Sequence, residues 1–286
     1  MQYDNKTILQ KQLDRIQREI SNFKGVVDMW DVINEVVIMP VYRSDNAVSR
    51  ICRYLGPVEL VRQVFAAAKQ ENPQATLLIN DFNLSDKYHN LIAACLDAGV
   101  PISSIGLQTH QHQGYMGRER LEEILERFSV FGLPLHFTEN TLLSGHLMPA
   151  DIVDLNDYQV EPWPSTPEGE ERQRREWREM YEIRFSHPKV EAITGWDFAN
   201  GAWLNAPSGL LRADNSPKPS YRELQRLIHE EWTSQGELHT DENGVAELAG
   251  FRETYSLHTD RAQAEVQLTA QPITQPRRIL LQDCHT

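Results

Sequence analysis

Two glutamates close two short hydrophobic runs. Glu35 ends the stretch Trp30-Asp-Val-Ile-Asn34-Glu35, and Glu139 ends Phe137-Thr-Glu139, with Asn140 beside it. Three other runs end in Asn80-Asp81-Phe82-Asn83, in Gln108-Thr-His110, and in Trp196-Asp197 with Asn200 and Trp203 beyond. Carboxylates with amides suit hydrogen bonding to sugar hydroxyls, and exposed indoles suit the apolar faces of pyranose rings. One carboxylate kept protonated by its surroundings and a second kept ionised is the division of labour that glycoside cleavage requires. Taken singly, a glutamate at a strand end is more often an anchor for a loop. The joint pattern is what carries the reading. His110, His112 and His136 could be metal ligands by residue type, but no carboxylate stands at ligand spacing, so hydrogen-bonding roles are expected of them.

The elements that must position these residues follow from hydrophobic periodicity. Leu9, Leu13, Ile16, Ile20 and Phe23 recur on a 3.6-residue period and predict a helix ended by Gly25. Val26 to Ile33 then reads as a buried parallel strand. A helix after Pro57 leads to a strand at Thr76–Asn80, and a helix from about Lys87 to Asp97 leads to Ile102–Leu107. Another, from Arg118 to about Phe131, leads to Leu133–Phe137. After a long loop, Ser165 with Glu168 has the spacing of a capping box opening a helix. The charge run Glu168 to Arg178 fits a solvated face of that helix. Val190–Phe198 is the fifth strand, and a helix from Tyr221 to about Trp232 closes the series. Strand and helix alternating five times predict a parallel α/β sheet, and in a parallel barrel the strand carboxyl ends converge on one face. Cys95, on an apolar helix face, and Trp30 are read as packing, while Trp163 and Trp177 pin the long loop.

Residues 1–231 form the expected α/β domain, and residues 232–286 a small β-rich appendage. In the latter, Val245–Ala249, Thr254–His258 and Ala264–Thr269 alternate polar and apolar residues at period two. The chain has 286 residues, of which 41 are acidic and 28 basic, a net charge of −13. That balance argues against nucleic acid or an anionic membrane as partner, since phosphates are repelled over most of the surface. No apolar run approaches the roughly 18–20 residues needed to span a bilayer. The stretch from Met1 to Gln10 has no apolar core of a signal peptide. Three cysteines, Cys52, Cys95 and Cys284, are far apart and define no disulfide framework.

The strand-end motifs resemble glycoside hydrolase family 10, the retaining endo-β-1,4-xylanases, from about residue 10 to residue 226. Trp30 to Glu35 resembles the acid/base segment of barrel strand four, with Asn34 reading the sugar 2-hydroxyl. Asn80-Asp-Phe-Asn83 is similar to the strand-five segment, with Phe82 where an aromatic hydroxyl is usual. Gly106-Leu-Gln108-Thr-His110 resembles the strand-six motif, whose glutamine and histidine hold the sugar and the nucleophile. Phe137-Thr-Glu139 falls where the family keeps its nucleophile, and Asn140 replaces the usual aliphatic residue. Trp196, Trp203 and Gly209 to Tyr221 resemble the strand-eight loop and closing helix, with a loop about one residue short.

The resemblance implies a (β/α)8 barrel of which strands four to eight are present, three further units requiring about 135 residues more. It implies cleavage of xylan or xylo-oligosaccharide by double displacement, with Glu139 as nucleophile and Glu35 as acid/base. Asn34, Asn80, Gln108, His110, Trp196 and Trp203 then bind substrate, and no cofactor or metal is required. Unpaired strand edges lead to the expectation of self-association or of pairing with an amino-terminal segment. The full-length protein is expected to be secreted or periplasmic. Two alternatives stay open: a related β-1,4-glycanase of the same barrel type, and a catalytically impaired carbohydrate-binding remnant.

Overall fold

The computed structural model describes residues 3–42, 46–269, 279 and 282–283. It divides into two compact units, residues 1–221 and 222–286. Cys284 lies outside the described residues.

The first unit holds a five-stranded parallel sheet in chain order, made of β1 (Met29–Asn34), β2 (Thr76–Asp81), β3 (Ser104–Gln111), β4 (Leu135–Leu142) and β5 (Val190–Gly195). Helices α1 (Asn5–Phe23), α2 (Ala47–Leu55), α3 (Pro57–Glu71), α4 (Asp86–Asp97), α5 (Gly117–Ser129) and α6 (Pro167–Ser186) precede or connect the strands. This is the βα repeat of a (β/α)8 barrel. Parallel neighbours in sequence order place every strand's carboxyl end on the same rim. The central strands are dry: Leu77, Ile79, Ile105, Leu107, Leu135 and Phe137 have no exposed surface to within 1%. The outer strands are not. Met29, Asp31 and Asn34 on β1 and Glu191, Thr194 and Gly195 on β5 are exposed, and among the described residues each of these strands has one strand neighbour.

Several local details differ from the sequence expectation. The α6 cap is Thr166, whose side chain accepts from the Gly169 N–H, and not Ser165. Pro167 explains the shift, since its fixed φ and missing N–H suit the first helical position. Ser165 Oγ instead meets Ser144 Oγ at 2.7 Å. The charged run of α6 is only partly solvated. Glu170 and Gln173 are buried, and Glu170 takes a two-pronged bond from Arg212. Helix α2, with Asn46 as its cap, has no counterpart in the sequence reading. Strands β3 and β4 run four and five residues further than expected, so Gln108, His110 and Glu139 lie within strands rather than after them. Cys95 is buried in α4, its thiol pushed up to about 11 by burial.

Helix α7 (Pro219–Arg226) spans the division between the units. In the second unit, β6 (Thr254–His258), β7 (Ala262–Gln267) and β8 (Gln282–Asp283) form an antiparallel sheet. Val245–Ala249 is not a strand, contrary to its alternating pattern. Val245 closes a turn in which its N–H and that of Asn243 donate to Asp241 Oδ1. Local side-chain to backbone bonds of this kind compete with a sheet ladder.

Candidate active site

The two glutamates reach the rim by different backbone devices. Glu35 follows β1 in the left-handed region, at φ 61°, with its N–H donating to the Asn80 carbonyl at 2.9 Å. A side chain at such a φ is strained and persists only where surroundings hold it. Asp81 supplies the hold from the other side: it is fully buried, and its Oδ2 accepts from the Val37 N–H at 3.0 Å. Glu139 instead lies on a bulge of β4. Leu107 faces Phe137 while Gln108 faces Glu139, which leaves Thr138 as the extra residue.

Amides connect the carboxylates, those of Asn80 and Gln108 buried and that of Asn34 exposed. Gln108 Nε2 donates to Asn34 Oδ1 at 2.8 Å and more weakly to Glu35 Oε1 at 3.4 Å, and Asn34 Nδ2 reaches Glu35 Oε1 at 3.2 Å. Asn80 Nδ2 donates to Asn34 Oδ1 at 3.0 Å and lies 3.5 Å from Glu139 Oε1 and from Asp31 Oδ2. Thr138 Oγ1 donates to Asn80 Oδ1 at 2.7 Å, which fixes which end of that amide faces the carboxylates. Gly106 makes room for it. A Cβ at that position would collide with the Asn80 amide. On the other side of Glu139, His110 Nε2 stands 3.2 Å from Oε2, and the Thr141 hydroxyl is 3.5 Å from His110 Nδ1.

Indoles and imidazoles form the opposite wall. The Trp203 ring lies 4.7 Å from His110 and 5.1 Å from His112, and Trp196 meets the His110 edge at 6.2 Å. Trp196 and Phe82 are exposed at the rim. Lys218, fully buried, holds the loop that carries Trp203 by donating to Asn200 Oδ1 at 2.6 Å, Ser144 Oγ at 2.8 Å and the Gly209 carbonyl at 2.5 Å.

Burial acts in one direction on three carboxyl groups of the site, Glu35, Asp81 and Asp31. Burial pushes the Glu35 carboxyl up, the Gln108 amide opposes this, and the nearby Glu139 charge adds to it. Asp81 is pushed up to about 6 by burial, against the backbone N–H donors of Asn83, Val37 and Phe82 and with help from the Glu35 charge. Asp31 moves the same way through desolvation and Glu139, although its place on the sheet edge leaves the residue exposed and blunts both effects. His112 has no exposed surface, finds no partner for either ring nitrogen and is pushed down to about 4 by burial. Among the described residues no group of three His, Cys, Asp or Glu is arranged to hold a metal ion.

Asn34, Glu35, Asn80, Gln108, His110 and Glu139 therefore form one hydrogen-bonded set, with Trp203 and Trp196 against His110. His136 lies apart, 3.8 Å from Glu191. The sequence reading missed Thr138, Asp31 and the supporting role of Asp81. It also missed Arg184, which bonds Asn140 and Thr109 from α6. An available signal was its place on the apolar stripe of Trp177, Met180 and Ile183, all buried, where a surface arginine does not belong.

Endo-1,4-beta-xylanase B of Thermotoga neapolitana is 29% identical over 233 residues, covering 76% of this chain and 61% of the relative. This chain thus spans less than two thirds of that relative's length. The anti-sigma-I factor RsgI6 of Acetivibrio thermocellus is 25% identical over 250 residues, covering 85% of this chain and 28% of that protein. Among solved structures, native xylanase 10B from Thermotoga maritima superimposes with a TM-score of 0.63 at 25% identity, covering 81% of this chain and 69% of that one. The model of glycosyl hydrolase family 10 matches residues 1–226, the whole stretch that carries the strand-end residues, and the chain belongs to that family.

Proposed function

We propose that this chain carries the catalytic carboxylates of a retaining endo-β-1,4-xylanase acting on xylan or xylo-oligosaccharides. The observation that carries the reading is the asymmetric support of the two glutamates. Glu139 stands between the His110 ring and the Asn80 amide, both able to donate to a carboxylate, whereas Glu35 is biased by burial toward holding a proton. Glu139 attacks the anomeric carbon as the bond to the departing sugar breaks, and the Glu35 proton goes to the leaving oxygen. Water then attacks the same carbon, its proton passes to Glu35, and the bond to Glu139 breaks. Asn34, Asn80 and Gln108 present amides to sugar hydroxyls, and Trp196 and Trp203 present apolar faces to the rings. A polymeric substrate that cannot cross a membrane goes with a secreted or periplasmic protein.

The test is release of reducing ends from xylan and from carboxymethylcellulose, with NMR of the first-formed anomer. Faster release from xylan with a β-anomer supports the reading. Preference for carboxymethylcellulose assigns the chain to the glucan-cutting alternative. A second reading, binding without turnover, is favoured by the similarity to a protein named as an anti-sigma factor rather than as an enzyme. Tight binding of xylo-oligosaccharide without release of reducing ends would decide for it.

A further inference from the structure

The residue after Glu139 is a buried amide that spends its whole hydrogen-bonding capacity on the bulge. Against β5, Phe137 faces Ile193 and Asn140 faces Gly195, so Thr138 and Glu139 together oppose Thr194 alone. A bulge re-aims a side chain and releases ladder groups that must find other partners. Asn140 provides them. Its Nδ2 donates to the Phe137 carbonyl at 3.1 Å and to the Thr194 carbonyl at 2.6 Å. Its Oδ1 accepts from Thr109 Oγ1 at 2.5 Å and from Arg184 Nη1 at 2.7 Å. Both donors and both acceptor positions of the amide are then used.

Arg184 completes the arrangement from α6. It has no exposed surface, donates through Nη2 to Thr109 Oγ1 at 2.8 Å, and lies 3.8 Å over the Phe137 ring. A buried guanidinium held by an amide, a hydroxyl and a ring face is costly to keep, and aliphatic side chains would fill the same space without that cost. What it gains is geometry: three strands and a helix are tied at the one place where β4 leaves its register.

We propose that Asn140, Thr109 and Arg184 are positioning residues, a buried clamp that fixes the bulge and thereby aims the Glu139 carboxylate at His110 and Asn80. The catalytic consequence rests on the reading of Glu139 as nucleophile; the geometric claim does not. Successive strand residues face opposite sides, so Asn140 acts through the backbone of Glu139 and not on substrate.

The experiment compares the 286-residue chain with its Asn140→Leu, Arg184→Met and Thr109→Val variants, the last nearly isosteric and the least disruptive of folding. The first readout is covalent labelling of Glu139 by a 2-deoxy-2-fluoro xylobioside bearing dinitrophenolate, which leaves as the carboxylate oxygen bonds the anomeric carbon. The second is the NMR signal of the Glu139 carboxyl carbon and of His110 Nε2. Removing the clamp is expected to slow labelling by on the order of 100-fold with reagent affinity unchanged, and to shift both NMR signals. Folded variants that keep the wild-type signals overturn the clamp, whatever their labelling rates. Shifted signals in variants of a wild type that takes no label support the clamp and fault the nucleophile reading instead.

Discussion

Glu35 donates its backbone N–H to the carbonyl of Asn80 at 2.9 Å while holding φ at 61°. The bond ties the acidic residue to the strand whose side chain also approaches Glu139, so one residue of β2 fixes the backbone beneath one carboxylate and the environment of the other. A left-handed conformation costs a residue with a Cβ about 1–2 kcal/mol. Glu35→Gly and Glu35→Ala both lose the carboxylate, and only the glycine relieves the backbone. The glycine variant is expected to be the more stable by about 1 kcal/mol in urea unfolding. An alanine variant of equal or greater stability would show that no strain is stored there.

The two glutamates should fail differently. Glu139→Gln is expected to abolish cleavage of every substrate, because the proposed mechanism assigns the bond to the anomeric carbon to Glu139. Glu35→Ala should spare the first step for aryl xylobiosides with good leaving groups, which need little protonation. Equal losses on such substrates would contradict the assignment. Retention further requires the two carboxyl groups to lie about 5–5.5 Å apart in the substrate-bound site.

The strand-end residues were legible because a parallel sheet puts its polar residues at one end, after hydrophobic runs that identify the strands. Glu35, Asn80, Gln108 and Glu139 stand out in the sequence for that reason alone. Bulges are not legible in the same way. Nothing in Phe137-Thr-Glu139 distinguishes an extra residue from regular alternation, so Thr138 and the role of Asn140 emerged only from the register. Arg184 is masked by composition, since Arg174, Arg175 and Arg178 lie on the same charged helix, and only its place on the stripe of Trp177, Met180 and Ile183 sets it apart. The appendage shows the opposite error. Val245–Ala249 alternates like a strand, but Asp241 captures both the N–H and the carbonyl of Val245 locally.

Gly106 should be intolerant of any side chain. Its missing Cβ leaves the space taken by the Asn80 amide, which is fully buried and bonded to Asn34 and Thr138. Gly106→Ala must displace that amide, and an error of about 1 Å at a catalytic group can cost on the order of 100-fold in rate. The expected result is a large fall in kcat with a smaller change in KM. Combined with Asn80→Ala, which removes the obstructed amide, Gly106→Ala should add little further loss. Independent, additive effects would show that the glycine acts elsewhere.

The sheet edges should make the chain associate. β1 and β5 each pair on one side only among the described residues, and Met29 on β1 is half exposed. Unpaired N–H and C=O groups beside exposed apolar side chains are a template for further strands. Light scattering across a dilution series is expected to give an apparent mass that rises with concentration. Met29→Lys should reduce the rise, because a charged side chain at an edge opposes pairing. A mass fixed at that of one chain throughout would reject the argument.

Asp81 and His112 should set opposing pH dependences on stability. Asp81 moves from 3.8 to about 6 on folding, so the folded state holds its proton more tightly. Its contribution is therefore present at low pH and is lost as pH rises from about 4 through about 6, about 3 kcal/mol in all. His112 moves from 6.5 to about 4, so the unfolded state takes up the proton first. Its contribution is present above about 6.5 and is lost as pH falls toward about 4, again about 3 kcal/mol. The two slopes nearly cancel between these limits, with the upward bias on Glu35 acting in the same direction as Asp81. Urea unfolding of His112→Phe, freed of the opposing term, should show stability increasing on acidification from pH 6.5 to 4. Asp81→Asn should show stability falling over the same interval more steeply than in the parent chain. If both variants kept the parent slope, neither group would be titrating in that window, and the burial that moves them could not be the cause of the parent's pH profile.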